Sequence, residues 1–408
     1  MVLHLATATQ KIDATITVSG SKSESNRLLI LQQLIDGLHI ENVSDSDDSN
    51  HLQHALKTND ATVDIGHAGT AMRFLTAYFA VKEGREVVLT GSERMQHRPI
   101  EILVKALQDL GAQISYVART GYPPIRIKGK KITERNVQLQ GNVSSQYISA
   151  LMLIGASLQD GLEIELLGEI TSVPYIKMTL RLLHQIGVTA TFEGHNISVS
   201  HFSDTVTKRI IVESDWSSAS YFYSCIALSD LHSKVTLSAY KKESLQGDAC
   251  LAEIYEYFGV ETSFQNNTIT LTKTKAARRE CVQLDLKNAP DIAQTIAVTC
   301  FGLGVSCELK GLHTLKIKET DRLVALKNEL TKLGGDLHIT NDSLSLKEAT
   351  TIEKDIAIET YNDHRMAMAF APLALKTSIV ILDAEVVTKS FRNFWETMQQ
   401  IGFQIKEA

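Results

Sequence analysis

The sequence predicts an α/β protein assembled from repeated modules, on three observations. A helix end, an apolar residue, a glycine and an alternating strand recur along the chain. The recurrences are nearly evenly spaced. The composition, 44% hydrophobic and 22% charged with only 6 Pro in 408 residues, is that of a chain that folds throughout.

Five copies of the junction are legible: ALQDLGAQISY from Ala106, LLHQIGVTATF from Leu182, IYEYFGVETSF from Ile254, ELTKLGGDLHI from Glu329 and TMQQIGFQIKE from Thr397. Each glycine falls where a helix needs a left-handed residue before the chain turns into a strand. Gly111, Gly187, Gly259, Gly334 and Gly402 are separated by 76, 72, 75 and 68 residues, and six units of 68 account for 408. The period is too long for a solenoid repeat, so each unit is expected to be a small α/β module. A first copy is expected in shortened form between His51 and Gly66, without the apolar-Gly pair. Helix-Gly-strand junctions are also common in any α/β chain, which leaves a non-repeating fold as the alternative.

Charge and composition exclude several classes. Lys and Arg number 41 against 47 Asp and Glu, a net charge of −6, so nucleic acid and anionic membranes are not expected partners. The five cysteines form no CxxC pair and lie only in the second half, which indicates neither a zinc site nor a disulfide framework and fits a reducing cytoplasm. The N-terminus lacks the pattern of a secretory signal, and no apolar run approaches the roughly 20 residues that span a bilayer. A cytoplasmic location and a monomer are the expectations.

Anionic ligands must then be held locally, and the helix beginnings carry groups suited to that, because free N–H groups and the positive dipole end favour anions there. GSKSESNRLLI places Lys22, Ser23 and Arg27 at a helix start, with Ser23 and Arg27 on one face. GHAGTAMR brings Gly69 and Thr70 into a glycine-rich turn entering a helix, GSERMQHRPI sets Arg94 and Arg98 before another, and GNVSSQY puts Ser144, Ser145 and Gln146 at a third. Asp291 heads the apolar helix of PDIAQTIAV, and Lys318 and Arg322 stand four apart in LKIKETDRLV, which predicts a shared helical face with Glu319 and Asp321 alongside. YNDHRMAMAF begins a helix with Asp363, His364 and Arg365, and Lys389 precedes the last helix. Taken singly these are ordinary caps, dipole partners or surface ion pairs. Together they suit two small polyanions, with Arg for bidentate contacts and Lys for point charge, and with Asp291, Glu319, His364 and Lys389 as acid/base candidates.

In their order along residues 20 to 391, GSKSESNR, AGTAMR, RMQHRPI, VSSQY, PDIAQTIA, KETDRL, YNDHRMAMAF and TKSF resemble the motifs of the 3-phosphoshikimate 1-carboxyvinyltransferase (EPSP synthase) family. The resemblance implies enolpyruvyl transfer from phosphoenolpyruvate to shikimate 3-phosphate, a step towards chorismate and the aromatic amino acids, without metal or organic cofactor. It implies a two-domain inside-out α/β barrel of six βαβαββ units. Residues 19–212 would form one domain and 1–18 with 213–408 the other, with two crossovers near 18 and 213 as a hinge for closure on substrate.

Position by position, the resemblance places shikimate 3-phosphate on Lys22, Ser23, Arg27, Ser144, Ser145, Gln146, Ser172, Asp291 and Lys318, with Ser172 taken from TSVPY. It places phosphoenolpyruvate on Lys22, Gly69, Arg94, Gln146, Arg322, Arg365 and Lys389, with Thr70 beside Gly69. Asp291 would take the 5-hydroxyl proton, Glu319 would protonate the methylene carbon, and Lys22, His364 and Lys389 would assist. His67 stands where the family usually has Asn, and Thr314 where an Asn often meets the ring. Inhibition by glyphosate, packed on Gly69, is also implied. The alternatives are the related enolpyruvyl transferase acting on UDP-N-acetylglucosamine, which usually carries a loop cysteine absent here before Cys225, and a noncatalytic polyanion-binding paralogue.

Overall fold

A computed structural model describes residues 1–7, 10–171, 173–204 and 207–407. The five junction glycines all have positive φ, between 77° at Gly259 and 105° at Gly402. At Gly259 a side chain is excluded twice, because a Cβ would also lie 2.0 Å from the Lys275 carbonyl oxygen. Each junction leads into the edge strand of a four-stranded sheet: Gln113–Tyr116, Ala190–Glu193, Val260–Gln265, Leu337–Ile339 and Phe403–Glu407.

These five mixed sheets share one plan, a parallel pair followed by an antiparallel pair. In one, Thr62–Asp64 runs parallel to Glu86–Thr90, and Ile125–Lys128 and Gln113–Tyr116 follow antiparallel. The sheet made from the chain ends keeps the plan: Ile356–Ile358 lies parallel to Ile379–Ile381, then come Leu3–Thr7 and Phe403–Glu407. A sixth sheet is a parallel pair alone, Leu38–Glu41 with Lys208–Ile211. The stretch from His51 to Gly66 does not supply a sixth junction. Its helix, Asp47–Lys57, ends on an extended Thr58, and the next strand, Thr62–Asp64, joins a parallel pair instead of closing a hairpin.

The chain divides into two compact units, residues 20–212 and residues 1–19 with 213–408, and three sheets belong to each. Within the units the strands alternate, as in Ile125–Lys128 and Cys307–Lys310, where every second residue is exposed. One sheet face is therefore covered and the other open. The covering helices are buried almost all round: every residue of Trp216–Leu228 and of His364–Phe370 is buried, as is every residue of Ser145–Gly155 except Gln146. Helices apolar on all sides belong in an interior. Hydroxyls inside Trp216–Leu228 are matched from the neighbouring helix Ala293–Leu303, Ser224 by Thr299 at 2.8 Å and Ser220 by Thr295 at 3.0 Å, which removes the cost of burying them. No described helix is long and apolar enough to cross a membrane.

Candidate active site

The helix starts singled out in the sequence fall into two groups, one in each unit. In residues 20–212, Lys22 opens the helix Lys22–Leu34, and its ammonium lies 3.5 Å from Asp48, at the start of the helix Asp47–Lys57. Arg27, one turn on, is buried. Its guanidinium donates to the Ser23 carbonyl at 2.8 Å, to the Thr179 hydroxyl at 2.7 Å and to the Ser149 hydroxyl at 3.1 Å. Burial lowers its pKa to about 10, so it stays charged at neutral pH without an ion pair to a carboxylate among the described contacts.

Gly69 begins the helix Gly69–Val81, and the Arg98 guanidinium lies flat against it, so that a Cβ there would be 2.6 Å from Nη1. Arg73, a turn further, is buried and ties three parts of this corner together. It donates to the Gly69 carbonyl at 3.2 Å and to the Pro99 carbonyl at 3.1 Å, and touches the Met95 sulfur at 3.5 Å. Burial and the nearby Arg98 charge lower its pKa to about 10. Arg94 is exposed in its own one-turn helix, Glu93–Gln96, rather than in a loop. Thr70 and Gln146, 76 residues apart, meet through a 3.1 Å hydrogen bond donated by the Gln146 amide. Ser144 caps the helix Ser145–Gly155 by accepting from the Gln146 N–H, and Ser145 is buried. The His67 ring packs edge-on to His51 with centroids 6.2 Å apart. Ser172 lies outside the described residues.

In the other unit the charges are meshed. Arg322 is 2% exposed and donates from all three guanidinium nitrogens: Nε to Asp363 at 2.6 Å, Nη1 to Asp291 at 3.0 Å and Nη2 to Glu319 at 2.8 Å. Burial works against its charge, but Asp363, Glu319 and Asp291 outweigh that and raise its pKa. Asp291, in the turn Pro290–Ile292, also receives Lys318 at 3.5 Å and Arg365 at 3.2 Å. Arg365 donates in addition to the Asp291 carbonyl at 3.1 Å and to the Ser217 hydroxyl at 3.3 Å. Lys389 donates to the Asn362 carbonyl at 2.6 Å, and His364 is buried beside Asp363, with 3.9 Å between Nδ1 and a carboxylate oxygen.

One expectation is corrected here. Lys318 and Arg322 do not share a helical face, because Asp321 accepts from the N–H groups of Leu323 and Val324 and starts the helix at Arg322. Lys318 lies outside that helix, and the two cations converge on Asp291 from different local structures. Thr314 sits in the short helix His313–Ile317 with its hydroxyl buried and without a hydrogen-bond partner among the described residues.

Three residues without an assigned role in the sequence reading belong to these groups. Asp248 is buried and accepts a hydrogen bond from the Ser217 hydroxyl. Burial and the neighbouring Asp291 charge push its carboxyl up to about 7. Asp363 caps the helix His364–Phe370 while holding Arg322, and the Asp before an apolar run was the available signal. Arg73 looked like one more residue of a helix, and only the fold brings Pro99 and Met95 to it.

The same fold is found in solved enolpyruvyl transferases. EPSP synthase from Acinetobacter baumannii superposes with a TM-score of 0.83 at 22% identity over 100% of both chains. The enolpyruvyl transferase NikO from Streptomyces tendae gives 0.73 at 11% identity over 100% of this chain and 98% of its own. Within that class the sequence comparisons are specific. The family model for EPSP synthase (3-phosphoshikimate 1-carboxyvinyltransferase) matches residues 50–398. A 3-phosphoshikimate 1-carboxyvinyltransferase from Bacteroides fragilis is 45% identical over 99% of this chain and 98% of its own, and one from Pasteurella multocida 35% identical over 96% of each. The chain belongs to the EPSP synthase family.

Proposed function

We propose that the protein transfers the enolpyruvyl group of phosphoenolpyruvate to the 5-hydroxyl of shikimate 3-phosphate, releasing phosphate, as an enzyme of the shikimate pathway. The observation that carries the chemistry is the Arg322 fork, which fixes two carboxylates, Asp291 and Glu319, on separate nitrogens of one buried guanidinium. An addition-elimination needs a base for the hydroxyl proton and an acid for the methylene carbon, each held in place. Asp291 takes the 5-hydroxyl proton as oxygen attacks C2, and Glu319 delivers a proton to C3. In the tetrahedral adduct the C2–O bond to phosphate then breaks as the Glu319 carboxylate takes a proton back from the C3 methyl group, which re-forms the double bond, and the proton held by Asp291 leaves with the phosphate.

The cations have separate tasks in this scheme. Arg94, Arg322, Arg365, Lys22 and Lys389 neutralise the carboxylate and phosphate of phosphoenolpyruvate, with Gly69 allowing close backbone approach beside Thr70 and Gln146. Arg27, Ser23, Ser144, Ser145, Ser172 and Lys318 hold the phosphate and hydroxyls of the acceptor. Lys22, His364 and Lys389 assist proton and charge movement. The buried helices and one-sided sheets favour an inside-out architecture of six βαβαββ units, the parallel pair Leu38–Glu41 with Lys208–Ile211 being a unit without its hairpin. The domains are 19–212 and 1–18 with 213–408, with hinges near 18 and 213. A cytoplasmic monomer, inhibited by glyphosate at Gly69, completes the reading.

Acceptor-dependent phosphate release tests it. Purified protein with phosphoenolpyruvate and shikimate 3-phosphate is expected to release phosphate, and with UDP-N-acetylglucosamine to release none. Release only with the nucleotide sugar, or with neither acceptor, would overturn the reading.

A further inference from the structure

Glu329 lies two turns along the helix that starts at Arg322, fully buried and outside the charged mesh. A buried carboxylate is costly unless it is matched by donors, and here three donors converge on it. The Tyr361 hydroxyl donates at 2.7 Å, the Glu359 N–H at 3.1 Å and the Lys332 ammonium at 2.8 Å. Two of the three come from one short segment, Glu359 to Tyr361.

That segment is strained in the backbone. Tyr361 and Asn362 have φ of 54° and 55°, a left-handed conformation that a Cβ disfavours, more for Tyr than for Asn. Thr360, between the two anchored residues, is buried, and its hydroxyl has no hydrogen-bond partner among the described residues. What the strained turn presents is the cation side of the mesh. The Asn362 carbonyl receives Lys389 at 2.6 Å, and Asp363 receives Arg322 at 2.6 Å and the Arg365 N–H at 2.9 Å.

We infer that Glu329 is a positioning residue for phosphoenolpyruvate: it fixes the Glu359–Asn362 turn and, through Asn362 and Asp363, aims Lys389, Arg322 and Arg365. This rests on the reading of those three cations as phosphoenolpyruvate ligands. Glu329 touches no reacting atom, and its effect is expected in the affinity for one substrate.

Three variants test it: Glu329→Leu, which removes every acceptor; Glu329→Gln, which keeps an oxygen for the Glu359 N–H and an amide N–H for the Tyr361 oxygen; and Tyr361→Phe, which removes one donor only. The KM for phosphoenolpyruvate is expected to rise about tenfold or more in Glu329→Leu, less in Glu329→Gln and least in Tyr361→Phe, with the KM for shikimate 3-phosphate within about twofold of wild type. Loss of folded enzyme alone lowers kcat and moves neither KM. If Glu329→Leu does not fold, the other two decide, and an unchanged phosphoenolpyruvate KM in both overturns the inference. Amide exchange over residues 359–363 is expected to accelerate in Glu329→Gln whatever the substrate, and unchanged exchange also overturns it. Wild-type enzyme in the same assay separates the two levels: absence of turnover with both substrates defeats the functional reading, whereas normal turnover with unaltered variants defeats only the role of Glu329.

Discussion

The buried guanidinium groups of the two sets of site residues are held in opposite ways. In residues 20–212 the buried cations Arg27 and Arg73 are held by hydroxyl and carbonyl oxygens, which orient a guanidinium without cancelling it. In the other unit Arg322, Arg365 and Lys318 are laced to Asp291, Glu319 and Asp363. The first arrangement keeps a positive field for anions in a chain whose net charge is −6. The second gives up net field and fixes the carboxylates Asp291, Glu319 and Asp363 in place.

The contrast is broken most sharply by removing one guanidinium from each side. Arg322→Met takes the guanidinium from Asp363 and Glu319 and leaves Asp291 with Lys318 and Arg365, and it is expected to lower unfolding free energy by about 3–5 kcal/mol, the scale of an opened buried ion pair. Arg73→Met leaves only neutral acceptors unpaired and is expected to cost about 1–3 kcal/mol. Chemical denaturation of both variants checks the order, and a larger loss for Arg73→Met would refute the division.

The next effect is on binding. Gly69→Ala puts a Cβ 2.6 Å from the Arg98 guanidinium, the end of a flexible side chain that can move away. Stability is expected to change little, while the KM for phosphoenolpyruvate rises about tenfold through a displaced cation and a blocked approach. Steady-state kinetics with a thermal melt separates the two; a lower melting point with unchanged KM would place Gly69 in the packing alone.

A further effect is a pH dependence on the meshed side. Asp248 holds its proton to about 7 in the folded protein, above its ordinary 3.8. Between those values the folded state binds more protons than the unfolded one, so this group's contribution to stability is present at low pH and is lost as pH rises through the window. Asp248→Asn is expected to flatten that fall. Denaturation of wild type and variant across the window checks the sign, and parallel curves would contradict it.

How much of this could be read from the sequence differs with the range of the interaction. The five junction glycines are local, since a helix end, a left-handed residue and a strand are neighbours in the chain, and all five are found with positive φ. The cap at Asp321 is equally local, and it sets the helix start at Arg322 in place of the face that the i, i+4 spacing of Lys318 and Arg322 predicts. The meeting of Thr70 with Gln146, of Arg73 with Pro99 and of Glu329 with Tyr361 depends on which helices pack together. No spacing in the sequence carries that information. Asp248 was hidden for the same reason: in SLQGDAC it looks like a turn residue, and its partner Ser217 is 31 positions away.

The assignment of Glu319 as the proton donor is the central claim, and Glu319→Gln tests it most directly. Glutamine keeps an oxygen for Arg322 Nη2 and leaves the cations in place, but it has no carboxylic proton to deliver. Shikimate 3-phosphate is expected to bind the variant within about twofold of wild type by calorimetry, while single-turnover phosphate release falls by about 100-fold or more. Release at the wild-type rate would contradict the account.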